Sequence, residues 1–358
     1  MDEQQVRSVV LGFPGVGADR LDSVSVREGL VQVALRVDRA EAVRFEAVRA
    51  GLERALSQLT GVRNATVVLT AQRAAEPAAP PGSASAAPAS VAPALLSNVG
   101  AIIAVASGKG GVGKSTVAVN LAAALAQTGL RVGLLDADIY GPSLPRMLGH
   151  QGKPAMEGNR LVPMQAWGLH AISIGHVVDE ETAMVWRGPM VLNALMQLMG
   201  QVAWPALDVM VIDLPPGTGD IQLTLAQRVK LTGAVVVSTP QDIALADARR
   251  GVAMFRQVRV PILGIVENMS FFACPHCGER SEIFGHGGAR AEAARIGVPF
   301  LGEVPLLLAI RETSDAGTPV VVSAPESEAA RAFKSVAAAV SAQISAAPAS
   351  AGPRIVIE

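Results

Sequence analysis

Residues 108–116 of this chain read Gly108-Lys109-Gly110-Gly111-Val112-Gly113-Lys114-Ser115-Thr116. This nonapeptide matches the phosphate-binding pattern G-x-x-x-x-G-K-[ST], in which glycines let backbone N–H groups surround phosphate oxygens. The apolar run Ala101 to Ala106 before it predicts a buried strand, and Val117 to Gln127 after it has helical spacing. We therefore expect Lys114 to reach the β- and γ-phosphates of a nucleotide and Ser115 to ligate Mg²⁺. The alternative is a glycine-rich turn that binds nothing.

Short apolar runs alternate with helical segments over residues 98–344. Six of these runs read as buried strands: Ile102 to Ala106, Arg131 to Leu135, Val209 to Ile212, Ala234 to Ser238, Ile262 to Glu267 and Val320 to Val322. The alternation predicts an α/β fold with a mostly parallel sheet. Together with the phosphate loop at residues 108–116, it predicts a P-loop NTPase domain. Ligands of such sheets bind at the carboxyl ends of the strands, and nearly every motif below follows one of these runs.

Aspartates follow two of the predicted strands. Asp136 and Asp138, spaced i, i+2, come after the second run, and both side chains should lie on the side of the phosphate loop. A helix cap or a solvated turn is the alternative use of such a pair. Asp213 follows the third run in the Walker B arrangement, in which a carboxylate holds Mg²⁺ directly or through water. The prolines and glycines of residues 215–219 suit a segment that senses the γ-phosphate and then moves.

The chain has two cysteines, which lie in the sequence Cys274-Pro275-His276-Cys277-Gly278. A C-x-x-C turn aims both sulfurs at one point and suits a soft metal, but two thiolates do not complete a site of four ligands. A symmetric dimer would supply the second pair. Two alternatives stay open: either His276 or His286 completes a zinc site, or the cysteines are a redox pair.

Lys109, directly after the first glycine of the phosphate loop, is not required by the minimal pattern. The run GKGGVGKST resembles the deviant phosphate-loop class of ATPases, which includes nitrogenase iron protein, the partitioning and septum-site ATPases and the Mrp family of iron–sulfur carriers. Three further sequences, IYGPS after Asp138, ENMS at residues 267–270 and IFGHGG at residues 283–288, accompany the C-x-x-C turn. With these, residues 98–344 resemble the Mrp family in particular.

The resemblance implies a homodimer in which Lys109 reaches the ATP bound by the partner. It implies that Asp138 lies beside the γ-phosphate and helps to position the attacking water or the metal shell. No general base stands out, and the class hydrolyses ATP slowly, so weak ATPase activity is expected. It also implies that Asn268 bonds the adenine edge, while Val304 to Leu306, with Pro305 at the centre, line the other side of the base.

For the cysteines, the resemblance implies one labile [4Fe–4S] cluster on a two-fold axis, with Cys274 and Cys277 supplied by each subunit. The expected activity is that of an ATP-dependent carrier that takes a cluster from a donor and transfers it to apo-proteins. Two other classes remain as alternatives: a positioning ATPase of the partitioning or septum type, and a regulatory ATPase scaffold stabilised by zinc.

Residues 1–73 predict a small α+β domain in front of the ATPase domain. Val24 to Val37 alternates as a hairpin, Ala40 to Leu59 has helical spacing, and Ala65 to Thr70 reads as a closing strand. This order resembles the small domain, related to iron–sulfur assembly factors, at the front of many Mrp-family chains. Where that domain carries a cysteine before its helix, this chain has residues 37–39, Val-Asp-Arg. A docking or structural module is the alternative.

Amino-acid composition indicates the character of the remaining segments and of the possible partners. Residues 74–97 are rich in alanine, proline and serine and predict a semi-extended linker, and a similar composition begins the tail, residues 345–358. A formal net charge of -1 gives no whole-chain electrostatic case for nucleic acid or a membrane as partner. The first residues lack a signal-peptide pattern, and the cysteine pair is not a secreted disulfide framework. We therefore expect a cytoplasmic protein.

Overall fold

A computed structural model describes residues 3–17, 20–27, 30–37, 42–59, 62, 64–71, 95–150, 152–176 and 188–346. The chain divides into two compact units, Met1–Ala89 and Ser90–Glu358. Of the predicted linker, residues 74–97, only the last three lie among the described residues, and of the predicted tail only residues 345 and 346. The linker and the domain boundaries therefore stay predictions.

The first unit is a small sheet with two helices. Its elements are α1 (Glu3–Leu11), β1 (Leu21–Arg27), β2 (Leu30–Val37), α2 (Ala42–Ser57) and β3 (Asn64–Ala71). β1 pairs with β2 in the antiparallel direction, and β2 pairs with β3 in the parallel direction. Val31, Val33 and Leu35 alternate into a core that Leu52 and Leu56 of α2 complete. The predicted hairpin, helix and closing strand are thus confirmed, although the hairpin turn lies outside the described residues and α1 was not predicted.

The second unit is built around a sheet whose described strands are β4 (Val99–Ala106), β5 (Val132–Asp136), β8 (Met164–Ala166), β9 (Leu169–Ser173), β10 (Leu207–Asp213), β11 (Gly233–Ser238), β12 (Ile262–Ala273), β13 (Arg280–Ser281) and β14 (Phe300–Leu306). Their order in the sheet is β13-β12-β11-β4-β10-β5-β9-β8, with β14 beside β12. A separate ribbon consists of β6 (Met156–Glu157) and β7 (Arg160–Leu161). The pairs of the central strands are parallel, and β8 and β13 join in the antiparallel direction.

Helices cover both faces of this sheet. They are α3 (Lys114–Ala126), α4 (Leu144–Met147), α5 (Gly188–Gly200), α6 (Asp220–Arg228), α7 (Asp242–Gln257), α8 (Gly288–Ile296), α9 (Leu308–Asp315), α10 (Val320–Ser323) and α11 (Glu328–Ala346), with a 3₁₀ turn at Ile174–His176. Successive residues of β4 point to opposite layers: Ile103 packs with Val117 of α3 and Phe333 of α11, whereas Ile102 packs with Leu195 of α5. The predicted α/β fold with a mostly parallel sheet is therefore confirmed.

Five of the six predicted strands lie in the central sheet, as β4, β5, β10, β11 and β12. The sixth prediction is wrong, because Val320 to Val322 belong to the short helix α10. Val320 and Val321 are fully buried against α3 and α11, and a buried apolar run of three residues has no period that separates strand from helix. Pro319, with φ of -55°, stands at the N-cap of this helix. Strands β6 to β9, β13 and β14 were not predicted.

Strand order brings the predicted motifs to one edge of the sheet. β10 lies between β4 and β5, and in this parallel register Asp213 stands beside Val105 on one side and Asp136 on the other. The segments that follow β4, β5, β10, β11 and β12 therefore leave the sheet at neighbouring positions.

Candidate functional site

The phosphate loop, residues 108–116, connects β4 to α3 with backbone conformations that need glycine. Gly111 and Gly113 have φ of 82° and 80°, in the left-handed region. A Cβ on Gly108 would lie 2.2 Å from backbone atoms of Asp247 in α7, and one on Gly113 would lie 2.2 Å from Nδ2 of Asn268 in β12. The loop therefore passes in close contact with two other segments and has no room for side chains at these two points.

Lys114, the first residue of α3, is buried between carboxylates. Its Nζ lies 2.7 Å from Oδ1 of Asp213, 3.5 Å from Oδ2 of Asp138 and 3.2 Å from Oγ of Ser115. The predicted positions Lys114, Ser115, Asp138 and Asp213 thus meet in one place. These contacts hold the lysine ammonium at the amino end of α3, the helix that follows the phosphate loop.

Asp213 has the features expected of a Mg²⁺ ligand. It is fully buried, and its Oδ2 is one of the buried polar atoms without a hydrogen-bond partner in the described part of the chain. Burial raises the pKa of Asp213, and the Lys114 ammonium opposes that change. A carboxylate oxygen with free lone pairs beside the Ser115 hydroxyl fits a hard cation with oxygen ligands. The residues present therefore fit Mg²⁺.

Asp136 and Asp138 have different partners although they were predicted as a pair. Asp136 accepts hydrogen bonds from the backbone N–H groups of Asp138 (3.0 Å) and Ser143 (3.1 Å) and from the hydroxyl of Ser173 (2.9 Å). Burial of the Asp136 carboxyl group is the largest cause, and the nearby charge of Asp213 the second, of a pKa raised to about 7. By accepting these hydrogen bonds, Asp136 fixes the backbone of the segment that carries Asp138. Of the two aspartates, only Asp138 reaches Lys114.

A cavity of about 620 Å³ opens next to the phosphate loop. Asn268 and Pro305, both predicted to contact the base, line it together with Gly113 and Thr116. Asn268 donates from Nδ2 to the carbonyl oxygen of Val112 at 2.8 Å, so one of its amide hydrogens is already bonded to the phosphate loop. The cavity is large enough for a base and ribose and lies where the loop opens.

The predicted base pocket needs one correction and several additions. Leu306 lines the cavity, but Val304 is fully buried and belongs instead to the core cluster that contains Phe333 and Val336 of α11. Residues from α4 and α9 that sequence reasoning missed also line the cavity: Arg146, Met147, Ile310, Arg311, Ser314 and Asp315. Arg146 and Arg311 both pair with Asp315, at 3.2 Å and 3.1 Å. These helices meet only in the folded chain, so no local signal could have found them.

The segment after β10 is held in place by hydrogen bonds to its backbone groups. Gly217 donates its N–H to the carbonyl oxygen of Ser107 at 2.9 Å, and Gln222 of α6 donates from Nε2 to the carbonyl oxygens of Pro215 and Pro216 at 3.0 Å and 2.9 Å. Its glycine at position 217 has φ of 99°. The predicted sensing segment therefore touches the residue that precedes the phosphate loop.

Cys274 and Cys277 lie in the loop of a β-hairpin formed by β12 and β13. The Cys274 N–H donates to the carbonyl oxygen of Glu279, and the Gly278 N–H donates to that of Cys274, each at 2.9 Å. Both thiols are free; Cys274 is half-buried and Cys277 is exposed. Hydrogen bonds from the backbone N–H groups of Cys277 and His276, then from the Cys277 side chain, lower the pKa of Cys274. The turn therefore favours a thiolate at Cys274 and presents a sulfur pair at the surface.

The histidines proposed as zinc ligands are placed differently. His286 Nε2 lies 3.0 Å from Oε2 of Glu303, and His276 is exposed. Within the described residues, neither cysteine belongs to a group of three convergent histidine, cysteine or carboxylate ligands. A four-ligand zinc site is thus not assembled by the described part of one chain.

Fold and site together define a P-loop nucleotide-binding protein with a surface thiol pair in the hairpin loop that follows β12, the strand that contacts the phosphate loop. A model of the protein family described as "ParA: NUBPL iron-transfer P-loop NTPase" matches residues 98–341. The chain therefore belongs to this family of iron-transfer P-loop NTPases.

Curated relatives carry matching names. The iron-sulfur cluster carrier protein of Escherichia coli strain K12 is 55% identical over 251 residues, which are 70% of this chain and 68% of that protein. The iron-sulfur cluster transfer protein NUBPL of Mus musculus is 50% identical over 256 residues, 71% of this chain and 80% of that protein.

Two solved structures share the fold. A nucleotide-binding protein from Archaeoglobus fulgidus, in complex with ADP and with cobalt, has a TM-score of 0.56 and 42% identity over 62% of this chain and 88% of that one. The cell division ATPase MinD of Pyrococcus furiosus has a TM-score of 0.54 and 26% identity over 68% of this chain and 99% of that one. In the described residues, no helix combines the length and apolar character needed to cross a membrane.

Proposed function

We propose that this chain binds ATP with Mg²⁺, hydrolyses it slowly and, as a homodimer, holds one labile [4Fe–4S] cluster that it transfers to apo-proteins. The observation that carries the proposal is the course of β12. This strand contacts the phosphate loop through Asn268 and ends at Ala273, directly before the hairpin loop with Cys274 and Cys277. One element thus carries both the nucleotide contact and the thiol pair.

The nucleotide half of the proposal assigns roles to residues 108–116 and their neighbours. Loop N–H groups surround the phosphates, Lys114 binds the β- and γ-phosphates, and Ser115 with Asp213 holds Mg²⁺. Asp138, 3.5 Å from the Lys114 ammonium, positions the attacking water or the metal shell. These groups supply positioning and charge neutralisation, on which phosphoryl transfer depends, and the absence of an evident general base fits slow hydrolysis.

The base is assigned to the cavity beside the loop. Asn268 keeps one amide hydrogen and its carbonyl oxygen for the adenine edge after bonding Val112, and Pro305 supplies an apolar face. The name of the Archaeoglobus relative, which is in complex with ADP, supports an adenine nucleotide.

The cluster half of the proposal needs two chains. Cys274 and Cys277 offer two thiolates, a [4Fe–4S] cluster takes four, and a two-fold axis through the cluster supplies the second pair. Lys109, partly exposed in the loop, then reaches the ATP of the partner. The names of the relatives in Escherichia coli and Mus musculus support iron–sulfur clusters as cargo, and hence a cluster donor and apo-proteins as partners. We place this activity in the cytoplasm, since the thiols are free and cluster transfer needs a reducing compartment.

Nucleotide and cluster are coupled through β12. Met269, next to Asn268, lines the base cavity and has φ of 56°, in the left-handed region that a methionine rarely adopts. The register between β12 and β14 shifts between Asn268 and Phe272, so the strand is irregular between the cavity and the cysteines. A nucleotide that alters this irregular segment changes the position of Cys274 and therefore the affinity of the dimer for its cluster.

The test is anaerobic reconstitution of the full chain with iron and sulfide, followed by iron and zinc analysis and a visible spectrum. We expect a broad band at roughly 400 nm and about four irons per dimer that depend on Cys274, so that the band and these irons are lost in Cys274→Ala and kept in Ser281→Ala on the same hairpin. Tight zinc in stoichiometric amount that is lost in Cys274→Ala, without a cluster, would instead support the zinc-stabilised scaffold. A chain that binds neither metal nor cluster would favour the positioning ATPase.

Coupling is tested by the rate of cluster transfer to an apo-ferredoxin with and without ATP. We expect the rate to depend on ATP in the parent chain and not in Lys114→Ala. Equal rates with and without ATP in the parent would contradict the coupling while leaving the carrier function intact.

A further inference from the structure

Glu267 and Glu303 stand directly opposite each other in the sheet. They are paired residues of the parallel strands β12 and β14, so their side chains lie on the same face. Glu267 is fully buried, and the Glu303 side chain is one third exposed. Like charges at paired positions destabilise a sheet, so this arrangement needs a neighbouring positive charge.

Glu267 is held by the start of α8. Its Oε1 accepts the N–H of Gly287 at 3.0 Å, and its Oε2 accepts that of Ala289 at 2.7 Å. The amino end of a helix stabilises a buried carboxylate in the charged form. Each carboxylate oxygen has two lone pairs, so these bonds leave acceptor capacity on both oxygens.

His286 completes a group of three metal-ligating side chains. Its Nε2 lies 3.0 Å from Oε2 of Glu303, and its Nδ1 lies 3.9 Å from Oε1 of Glu282. One donor atom from each of Glu267, His286 and Glu303 lies within 4.8 Å of the other two. In the described part of the chain, no other group of histidine, cysteine and carboxylate ligands converges in this way.

Charge around this group is unbalanced. Glu267, Glu282 and Glu303 supply three carboxylates, and among the described residues Arg280 lies beside them, with its guanidinium 3.8 Å from Glu303 and 3.4 Å from His286. The Arg280 side chain stacks on the ring of Phe271 and is half exposed, so it can move outward into solvent, although this uncovers part of that ring. The surplus of negative charge attracts a cation.

We propose that Glu267, His286 and Glu303 form a binding site for one divalent first-row metal ion, Fe²⁺ or Zn²⁺, separate from the cysteine pair. One imidazole nitrogen and two carboxylate oxygens are a ligand set that suits these ions and leaves coordination positions open. Arg280 occupies the neighbourhood of the site in the metal-free chain and moves aside when the ion binds. Because Arg280 pairs with Ala273 in the hairpin, the site lies at the base of the loop that holds Cys274.

The site is tested in the full-length chain carrying Cys274→Ser and Cys277→Ser, with any affinity tag removed and Co²⁺ as the probe. Cobalt reports its ligands through its visible spectrum and cannot here be bound by thiolates. We expect one Co²⁺ per chain, with a spectrum free of sulfur charge transfer. His286→Gln and Glu303→Gln, both at partly exposed positions, should each weaken binding by about 10- to 100-fold.

Two further variants distinguish Co²⁺ binding at a defined site from attraction by general surface charge. Glu326→Gln, which removes an exposed carboxylate elsewhere, should leave the Co²⁺ affinity unchanged, whereas Arg280→Gln should raise it by about 5- to 10-fold through loss of the competing cation. Equal affinities in the parent, His286→Gln and Glu303→Gln would overturn the proposal. So would weaker binding in Arg280→Gln. Because both cysteines are absent from every chain compared, these outcomes leave the cluster-carrier proposal untouched.

Discussion

Lys114 of the phosphate loop and Asp213 at the end of β10 form a buried ion pair, with 2.7 Å between Nζ and Oδ1. The lysine side chain is 6% exposed and the aspartate 0%. Each charge therefore depends on the other for compensation in the nucleotide-free chain, and the lysine that we propose to bind phosphate also stabilises the fold.

Lys114→Ala should abolish nucleotide binding and also lower the free energy of unfolding by about 3–5 kcal/mol, because it leaves Asp213 buried and uncompensated. Lys109→Ala is the matched control, since Lys109 is partly exposed and the described residues include no ion-pair partner for it. That variant should keep its stability and its nucleotide affinity while losing ATP hydrolysis. Urea denaturation measures the stability of each variant, and titration with a fluorescent ATP analogue measures its nucleotide affinity. Equal stability of the two variants would contradict the role given to the ion pair.

Gly108→Ala should unfold or strongly destabilise the ATPase unit, whereas Gly110→Ala should change its unfolding free energy by less than about 0.5 kcal/mol. A Cβ on Gly108 would overlap backbone atoms of Asp247 at 2.2 Å, and one on Gly110 would meet nothing within 4 Å. Both are glycines of the same loop, so the comparison isolates the contact with α7. Thermal unfolding without nucleotide measures it, and similar melting temperatures would show that the loop can move away from α7.

The stability of the nucleotide-free chain should fall as the pH rises from about 4 to about 7 through the titration of Asp136. Its pKa is raised to about 7, chiefly by burial, against an ordinary value of 3.8. In this window the folded chain keeps a proton that the unfolded chain has lost, so each pH unit costs up to about 1.4 kcal/mol.

The measurement is urea denaturation across this pH window with a chelator present. Asp136→Asn should be less stable overall, because it loses acceptors for Ser143 and Ser173, and its pH slope should be smaller than that of the parent. Identical slopes would show that Asp136 keeps its charge in the folded chain.

Cys274 should react as a thiolate at lower pH than an ordinary cysteine. Hydrogen bonds from the N–H groups of Cys277 and His276 lower its pKa from 9.0. The rate of alkylation by iodoacetamide, measured by mass spectrometry in the metal-free Cys277→Ser variant, should reach half its maximum below pH 9.0. The same variant in denaturant is the control, and its midpoint should lie higher. Equal midpoints would mean that the turn does not hold the thiolate.

Most of the predictions about this protein came from contiguous sequence motifs. The phosphate loop, the aspartates after β5 and β10 and the C-x-x-C turn each have a geometry set by neighbours in the chain, so their residue types and spacing indicated their chemistry. The same reasoning failed at Val320 to Val322, where three buried residues have no period and packing on α3 and α11 determines the conformation. It also missed the cavity wall from α4 and α9, which touch only after folding.

Sequence alone therefore predicts which groups bind phosphate and which can bind metal, since these depend on local backbone geometry and side-chain chemistry. Tertiary structure brings distant residues together: Lys114 meets Asp213 across 99 positions, and Asn268 meets Val112 across 156. It likewise sets Glu267 beside Glu303 in neighbouring strands. These contacts follow from the order of the strands, which reflects the packing free energy of the whole core and is not encoded in any one motif.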